Sequence, residues 1–252
     1  MKLQRLYSYV RQAVDEYQMI AEGDRIAVGI SGGKDSLTLL YGLAGLRRFY
    51  PCRFEVIGIT VDLGYEGFDL TGIMELCGQL QVEYHVVHTQ ISTMILEGEC
   101  SKCARLRKGA LNGKALELGC NKIAYGHNRD DVVETMMMSL IYEGRFSAFW
   151  PVTHFDDTRL DVIRPMILVP SGDVYGFRNR YQLPVTENPC PYDGETQRSY
   201  VRELLRRIDH HAPDVRKRMM TAIRRGNLEG WNRSDPPESP QNPPRRPGSR
   251  DC

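Results

Sequence analysis

The 252-residue chain has no stretch approaching the roughly 18 uninterrupted apolar residues that a membrane helix needs. Its opening, MKLQRLYSYVRQAV, is too polar for the apolar core of a secretory signal. Together these predict a cytoplasmic chain with no membrane partner. Net charge is almost absent: 33 Lys and Arg against 32 Asp and Glu leave +1, which argues against strong electrostatic binding of nucleic acid over the whole surface. Seven cysteines, an odd number, argue against a disulfide framework and leave thiols available as ligands or catalysts. At 41% hydrophobic and 26% charged, the chain is neither collagen-like nor wholly disordered, and it can fill one sizeable core or two small ones.

What is present is unevenly distributed. Cys52, Cys77 and Cys120 stand alone within apolar segments and read as small buried hydrophobes. Cys252 ends the chain as an exposed thiol, leaving Cys100, Cys103 and Cys190 to explain. Between Arg198 and Arg225 nine basic residues face three acidic ones, a local excess of about six charges. Such clustering suits a solvated helical face or a surface for phosphate backbone.

The hydrophobic pattern alternates between strand and helix. An amphipathic segment from Leu3 to Ile20 precedes five apolar strand-like runs: Ile26 to Ile30, Phe54 to Val61, Tyr84 to Val87, Lys122 to Tyr125 and Val162 to Leu168. Helices are expected over Asp35 to Leu46, Leu70 to Leu80, Ala104 to Leu118, Asp130 to Tyr142 and Val174 to Tyr181. This order predicts an α/β fold with a parallel five-stranded sheet and helices on both faces. The chain divides into an N-terminal helix (1–22), a central α/β domain (23–185), a basic C-terminal helical region (186–230) and a disordered tail (231–252). The last holds six of the fourteen prolines. In the third region, Gln197 to His210 and Pro213 to Arg225 read as helices.

The first chemical motif is SGGKDS, Ser31 to Ser36, between the first strand and the helix after it. Consecutive Gly32 and Gly33 let the backbone turn sharply, so that several amides and the positive helix end face one anion. Lys34 adds a mobile positive charge, Ser31 and Ser36 offer hydroxyls, and Asp35 can hold a magnesium ion bridging phosphates. The pattern is neither GxxxxGK[ST] nor GxGxxG.

SGGKDS resembles the pyrophosphate-binding loop of the PP-loop ATPases, which split ATP into AMP and pyrophosphate to adenylate a substrate. Two further segments match. VDLGYEGF, Val61 to Phe68, lies where such proteins carry a segment beside the adenosine, which places Asp62 there. GHNRDDVVET, Gly126 to Thr135, resembles the GHxxDDxxET signature of the tRNA-modifying branch and implies that Gly126, His127, Asp130 and Asp131 adjoin ATP and the substrate base. In an isolated sequence the same residues would read as a helix cap and surface groups.

CSKCARLRKGAL, Cys100 to Leu111, closely resembles the CxxC segment of TtcA-like tRNA 2-thiocytidine synthetases, and IRP, Ile163 to Pro165, also fits. In that family two such cysteines and a later third hold a 4Fe–4S cluster, which implies Cys190 as the third ligand here. The chain departs from the family in having Pro189, Pro191 and Tyr192 around that cysteine, where a second cysteine is common, and in Ser171 and Gly172 after Pro170. Thiolates at i and i+3 with a distant third leave one position of a tetrahedral site open. A structural zinc, or a metal-free CxxC disulfide or persulfide couple, also fits the cysteines.

The resemblance implies a mechanism. ATP and magnesium sit at Ser31 to Ser36, a tRNA cytidine attacks the α-phosphate through O2, and sulfur then displaces AMP from C2. Cys100, Cys103, Cys190 and Asp35 are the expected catalytic set. Arg105, Arg107, Lys108, Arg145, Arg164 and Arg198 are expected to hold RNA, whose target base must be unstacked. A sulfur donor such as a cysteine desulfurase and a second copy of the chain are the expected partners. Three rival readings are a lysidine-type adenylating ligase, which has no use for three cysteines, a non-catalytic metal- or redox-sensing RNA-binding module, and a sulfur insertase for a small molecule.

Overall fold

The computed structural model describes residues 1–96, 99–154, 160–186, 190, 197–226, 228 and 230–231. The expected tail starts one residue too early, since Trp231 is buried in the core against Tyr17; from residue 232 on it lies outside the described residues. Six strands form one sheet: β1 (Asp24–Gly29), β2 (Phe54–Asp62), β3 (Glu83–His88), β4 (Lys122–Ala124), β5 (Val152–Thr153) and β6 (Asp161–Ile163). Their order is β3-β2-β1-β4-β6-β5. The first five in that order run parallel, as expected. The sixth, β5, is a two-residue strand antiparallel to β6 that is too short to leave a pattern in the sequence.

The helices are α1 (Leu3–Glu16), α2 (Lys34–Leu46), α3 (Thr71–Gln79), α4 (Ile91–Met94), α5 (Cys100–Glu117), α6 (Arg129–Met138), α7 (Ser171–Tyr181), α8 (Gln197–His211) and α9 (Val215–Arg225). A π-helical turn, Ser139–Glu143, extends α6. No helix among the described residues is long and apolar enough to cross a membrane.

Alternation along the strands sends side chains to two cores. Ile26, Val28 and Val56 join α1, α2, α3, α6, α7, α8 and α9 on one face. Ala27, Ile57, Ile59 and Val61 meet Ile91 of α4, Ile95 just after it, and Leu111 and Ala115 of α5 on the other. Burial on both faces is why these strands read as continuous apolar runs. The apolar side of α1 is spent inside the chain: Leu6, Val10, Ala13 and Val14 are buried, with α2 against the helix. Its amphipathic pattern therefore needs no partner subunit. Cys77 and Cys120 are buried as expected, while Cys52 is half-buried.

The expected C-terminal helices pack on α6, and Val201, Leu205, Met220 and Ile223 enter the first core. Much of their positive charge is paired within the chain. Arg202 meets Glu134 at 2.9 Å, Arg216 meets Asp130 at 3.2 Å and Arg224 meets Glu16 at 2.6 Å. Glu134 and Asp130 are themselves buried.

One buried ion pair ties the first strands together. Lys122 Nζ on β4 lies 2.7 Å from Asp24 Oδ2 on β1 and donates to the Met19 carbonyl at 3.0 Å. Burial alone would raise the Asp24 carboxyl. The Ala21 N–H, Lys122 and Asn121 outweigh it and hold the group below its ordinary value of 3.8. Removing one partner strands the other, so Lys122→Met should lower unfolding free energy by about 3–5 kcal/mol in urea titrations. The pair's contribution is complete above the ordinary carboxylate value and should fade as pH falls below it. A loss under about 1 kcal/mol would show that the pair is dispensable.

Candidate functional site

β2 and β3 lie to one side of β1, β4 and β6 to the other, and the parallel strands end their carboxyl termini on one edge. In such sheets the crevice at the point of reversal is where ligands bind. A cavity of about 680 Å³ opens there, walled by the end of β1, the end of β4 and the first half of α5.

The loop after β1 is shaped by its own side chains. Ser36 Oγ donates to the Gly33 carbonyl at 2.9 Å and accepts the Ser31 N–H at 3.1 Å, with Ser31 Oγ 3.2 Å away. Gly32 adopts φ +82°, a conformation that favours glycine, and its carbonyl accepts the Thr186 N–H at 3.0 Å. Gly33 caps α2 with no side-chain hydrogen bond, so no cap competes for the leading amides and the positive end of the helix. Lys34 Nζ is 2.5 Å from Asp35 Oδ2 and 4.5 Å from the centroid of the Tyr175 ring.

The β4–α6 turn is pressed against this loop. A Cβ on Gly126 would lie 2.8 Å from the Asp35 carbonyl carbon and 3.0 Å from the Ser36 nitrogen, so only glycine fits. Asn128 joins the two segments. Its Nδ2 donates to Asp35 Oδ1 at 3.0 Å, while its Oδ1 caps α6 by accepting the Asp130 N–H at 2.9 Å. Asp131 closes a capping box by accepting the Asn128 N–H at 2.8 Å. Burial pushes the Asp131 carboxyl up to about 6, helped by the Asp35 and Glu134 carboxylates and opposed by the Asn128 N–H and Arg198. Asn128 was not among the expected site residues, although an Asn followed three positions later by an acid at a strand-to-helix turn is a readable cap signal.

Among the expected nucleotide residues, Ser31, Asp35, Ser36, Gly126, His127 and Asp131 line the cavity. Gly32, Gly33 and Lys34 form the loop behind it. Two others face elsewhere. Asp62 accepts the Gly64 N–H at 2.9 Å and meets His88 at 2.9 Å. Asp130 is turned toward the Ser171 N–H at 2.8 Å and Arg216.

Cys100, Cys103 and Cys190 line the same cavity. α5 begins at Cys100, four residues before the expected start, so the CxxC pair forms its first turn. Burial raises the Cys103 thiol, Arg107 opposes this, and the neighbouring Cys190 and Cys100 add to it. Tyr65 Oη lies 4.0 Å from Cys190 Sγ. Among the described residues no three of His, Cys, Asp and Glu converge closely enough to hold a single metal ion. Three thiols lining one cavity, two from α5 and one from residue 190, form a soft donor set that fits an iron–sulfur cluster.

Of the expected RNA contacts, Arg107, Lys108 and Arg164 line the cavity. Arg105 is exposed on α5, and Arg145 is paired with Glu143. Arg198 donates to Thr135 Oγ1 at 3.1 Å and sits 3.8 Å from both Asp131 and Glu134. His127 stacks on Phe149, with ring centroids 4.7 Å apart. Burial, with Arg164 and Arg198 nearby, pushes its imidazole down to about 3, so it is neutral at physiological pH.

Residues 4–208 match the PP-loop domain family, which makes the chain a PP-loop protein. Two relatives carry the name tRNA-cytidine(32) 2-sulfurtransferase. That of Citrifermentans bemidjiense is 37% identical, covering 87% of this chain and 89% of its own length. That of Geobacter sulfurreducens is 35% identical, covering 90% and 91%. The chain belongs to the tRNA-cytidine(32) 2-sulfurtransferase family. The solved U34-tRNA thiolase NcsA from Methanococcus maripaludis, with its 4Fe–4S cluster, superposes with a TM-score of 0.71. It is 26% identical, over 90% of this chain and 80% of that one.

The Gly126 contact gives a direct test. Gly126→Ala must push the loop and α2 apart, so the dissociation constant of a non-hydrolysable ATP analogue should rise about tenfold or more, with about 1–3 kcal/mol lost in stability. Gly113→Ala, where a Cβ meets nothing within 4 Å, should leave nucleotide affinity unchanged. Equal affinities in calorimetry for the two variants would refute this account of the loop.

Proposed function

We propose that this chain is an ATP-dependent tRNA sulfurtransferase that replaces O2 of cytidine 32 with sulfur. The observation that carries the reading is one cavity lined both by the nucleotide loop, through Ser31, Asp35 and Ser36, and by Cys100, Cys103 and Cys190. An adenylating enzyme without sulfur chemistry, such as a lysidine-type ligase, has no use for the second group.

The loop amides and the α2 N-terminus hold the ATP phosphates, and Asp35, oriented by Asn128 and paired with Lys34, holds magnesium. The base enters from the open side, which requires it to be unstacked. Its O2 forms a bond to the α-phosphorus as the bond to pyrophosphate breaks. This step is needed because a ring carbonyl oxygen is a poor leaving group, whereas AMP is a good one. Cys100, Cys103 and Cys190 would hold a 4Fe–4S cluster that supplies, when bound, an open iron to carry sulfide. The apolar wall of Ile59, Val61 and Leu111 keeps water from the adenylated base. Arg107 and Lys108, at the same opening, suit the RNA backbone. A cysteine desulfurase as sulfur source and a second copy of the chain are the partners this reading carries with it.

Protein purified without oxygen should contain about four irons and four acid-labile sulfides per chain, held by three cysteine thiolates. Cys100→Ser, Cys103→Ser and Cys190→Ser should each lose them and cease to form 2-thiocytidine, as read by mass spectrometry of digested tRNA. Each variant should still bind the ATP analogue. Retention of thiolation by any one of the three, or a wild-type protein that stays iron-free after reconstitution, would overturn the assignment.

A further inference from the structure

Four arginines of the C-terminal helices end on carboxylates: Arg198 near Asp131 and Glu134, Arg202 on Glu134, Arg216 on Asp130 and Arg224 on Glu16. Arg164, immediately after β6, is different. Its Nη1 donates to the Trp150 carbonyl at 2.5 Å and to Thr153 Oγ1 at 3.0 Å. Its Nε is buried with no partner, and no carboxylate among the described residues balances its charge. Its guanidinium carbon lies 5.1 Å from the centroid of Phe149, the ring that also carries His127, and the side chain lines the cavity. Keeping a charge in such a place without a counter-ion is costly unless a ligand completes it.

The ligand is constrained by the surroundings. The guanidinium is fixed by two neutral oxygens and backed by an aromatic face, and it shares its wall with a neutral histidine and Tyr125. That is an environment for a flat heterocycle with an acceptor edge. Arg107 and Lys108, on α5, are the cavity cations better placed for phosphate.

We propose that Arg164 reads and activates the target base: it donates to N3 of a cytosine in the cavity and stabilises the electron pair that shifts onto N3 when sulfide attacks C2. This inference rests on the thiolation reading above. In the adenylated base C2 is bonded to the AMP oxygen and doubly bonded to N3. Hydrosulfide, released from the donor's persulfide by a thiol reductant that is itself oxidised to a disulfide, forms the C2–S bond with its own electron pair, while the C2–N3 π pair moves to N3. That pair then returns, the C2–O bond breaks, AMP leaves with the bonding electrons, and the sulfur proton passes to water. Within the displacement at C2 sulfur stays at the sulfide level; the only reduction is the thiol-driven release of hydrosulfide that precedes it. A cationic donor beside N3 acts here as an oxyanion hole does for a carbonyl. It also discriminates, because cytosine presents an acceptor at N3 where uracil presents an N–H donor.

The test uses cluster-loaded protein and two RNA stem-loops that differ only in cytidine or uridine at position 32. In competition binding the wild type should prefer the cytidine loop about tenfold or more. Arg164→Met should bring the ratio close to one, leaving the ATP-analogue dissociation constant and iron content unchanged. At saturating tRNA its turnover should fall about 100-fold, while KM rises by no more than the lost binding preference of about tenfold. Arg164→Lys, which keeps the charge and one donor, should fall between the two in both readouts and serves if the methionine variant does not melt cooperatively. An unchanged ratio and turnover, or equal weakening for both RNAs with turnover intact, would overturn the proposal. Failure of the wild type to thiolate tRNA would refute the functional reading instead, and the binding ratio would still decide the role of Arg164.

Discussion

The close approach of Gly126 to the backbone of Asp35 and Ser36 is the constraint on which the site depends. Because β4 lies directly beside β1 in parallel register, the turns that follow both strands emerge at the same edge and compete for one volume. With no side chain at Gly126 they come into contact, and Asn128 then bonds across the junction while capping its own helix. The phosphate loop and the acidic turn thus behave as one piece. Cysteines on α5 are added to it from the opposite side of the sheet.

The two cores are unequal, and the difference places the cavity. One face of the sheet is covered by seven helices, so little room remains there. The other is covered chiefly by α5 and the short α4, and the cavity opens on this side, lined by the first half of α5. Ile59, Val61 and Leu111 of the second core also form the apolar floor of this space. The site is accordingly dry on its sheet side and polar at its rim, the combination that favours a reactive adenylate over its hydrolysis.

Much of this was legible in the sequence. Five parallel strands, most helix positions and the phosphate loop follow from apolar runs and glycine placement. Three features were not legible. Three of the four residues from Cys100 to Cys103, the two cysteines and Ser101, are weak helix formers, so propensity delays the start of α5. The two-residue β5 is shorter than any periodic signal. Asp62 and Asp130 belong to matching motifs, yet their carboxylates turn to His88, Ser171 and Arg216, because orientation is set by partners distant in sequence. The same holds for Arg164. Its tripeptide placed it among RNA contacts, but its lack of a counter-ion appears only once the loop holding Trp150 and Thr153 is folded over it.

The basic C-terminal helices have a consequence for modularity. Read as charge, α8 and α9 look like an RNA-binding appendage joined to a nucleotide-binding domain. Yet Glu134 and Asp130, buried on α6, are neutralised by Arg202 and Arg216 from those helices, and Asp131 on the same turn faces both Asp35 and Arg198. Without α8 and α9, buried Glu134 would lose its Arg202 and Arg198 partners, and Asp130 would keep only Arg129 at 3.5 Å as a cation. These helices therefore cannot be exchanged between PP-loop proteins as a cassette. A recombinant that grafted a different RNA-binding segment onto this core would need to bring its own arginines to the same two carboxylates.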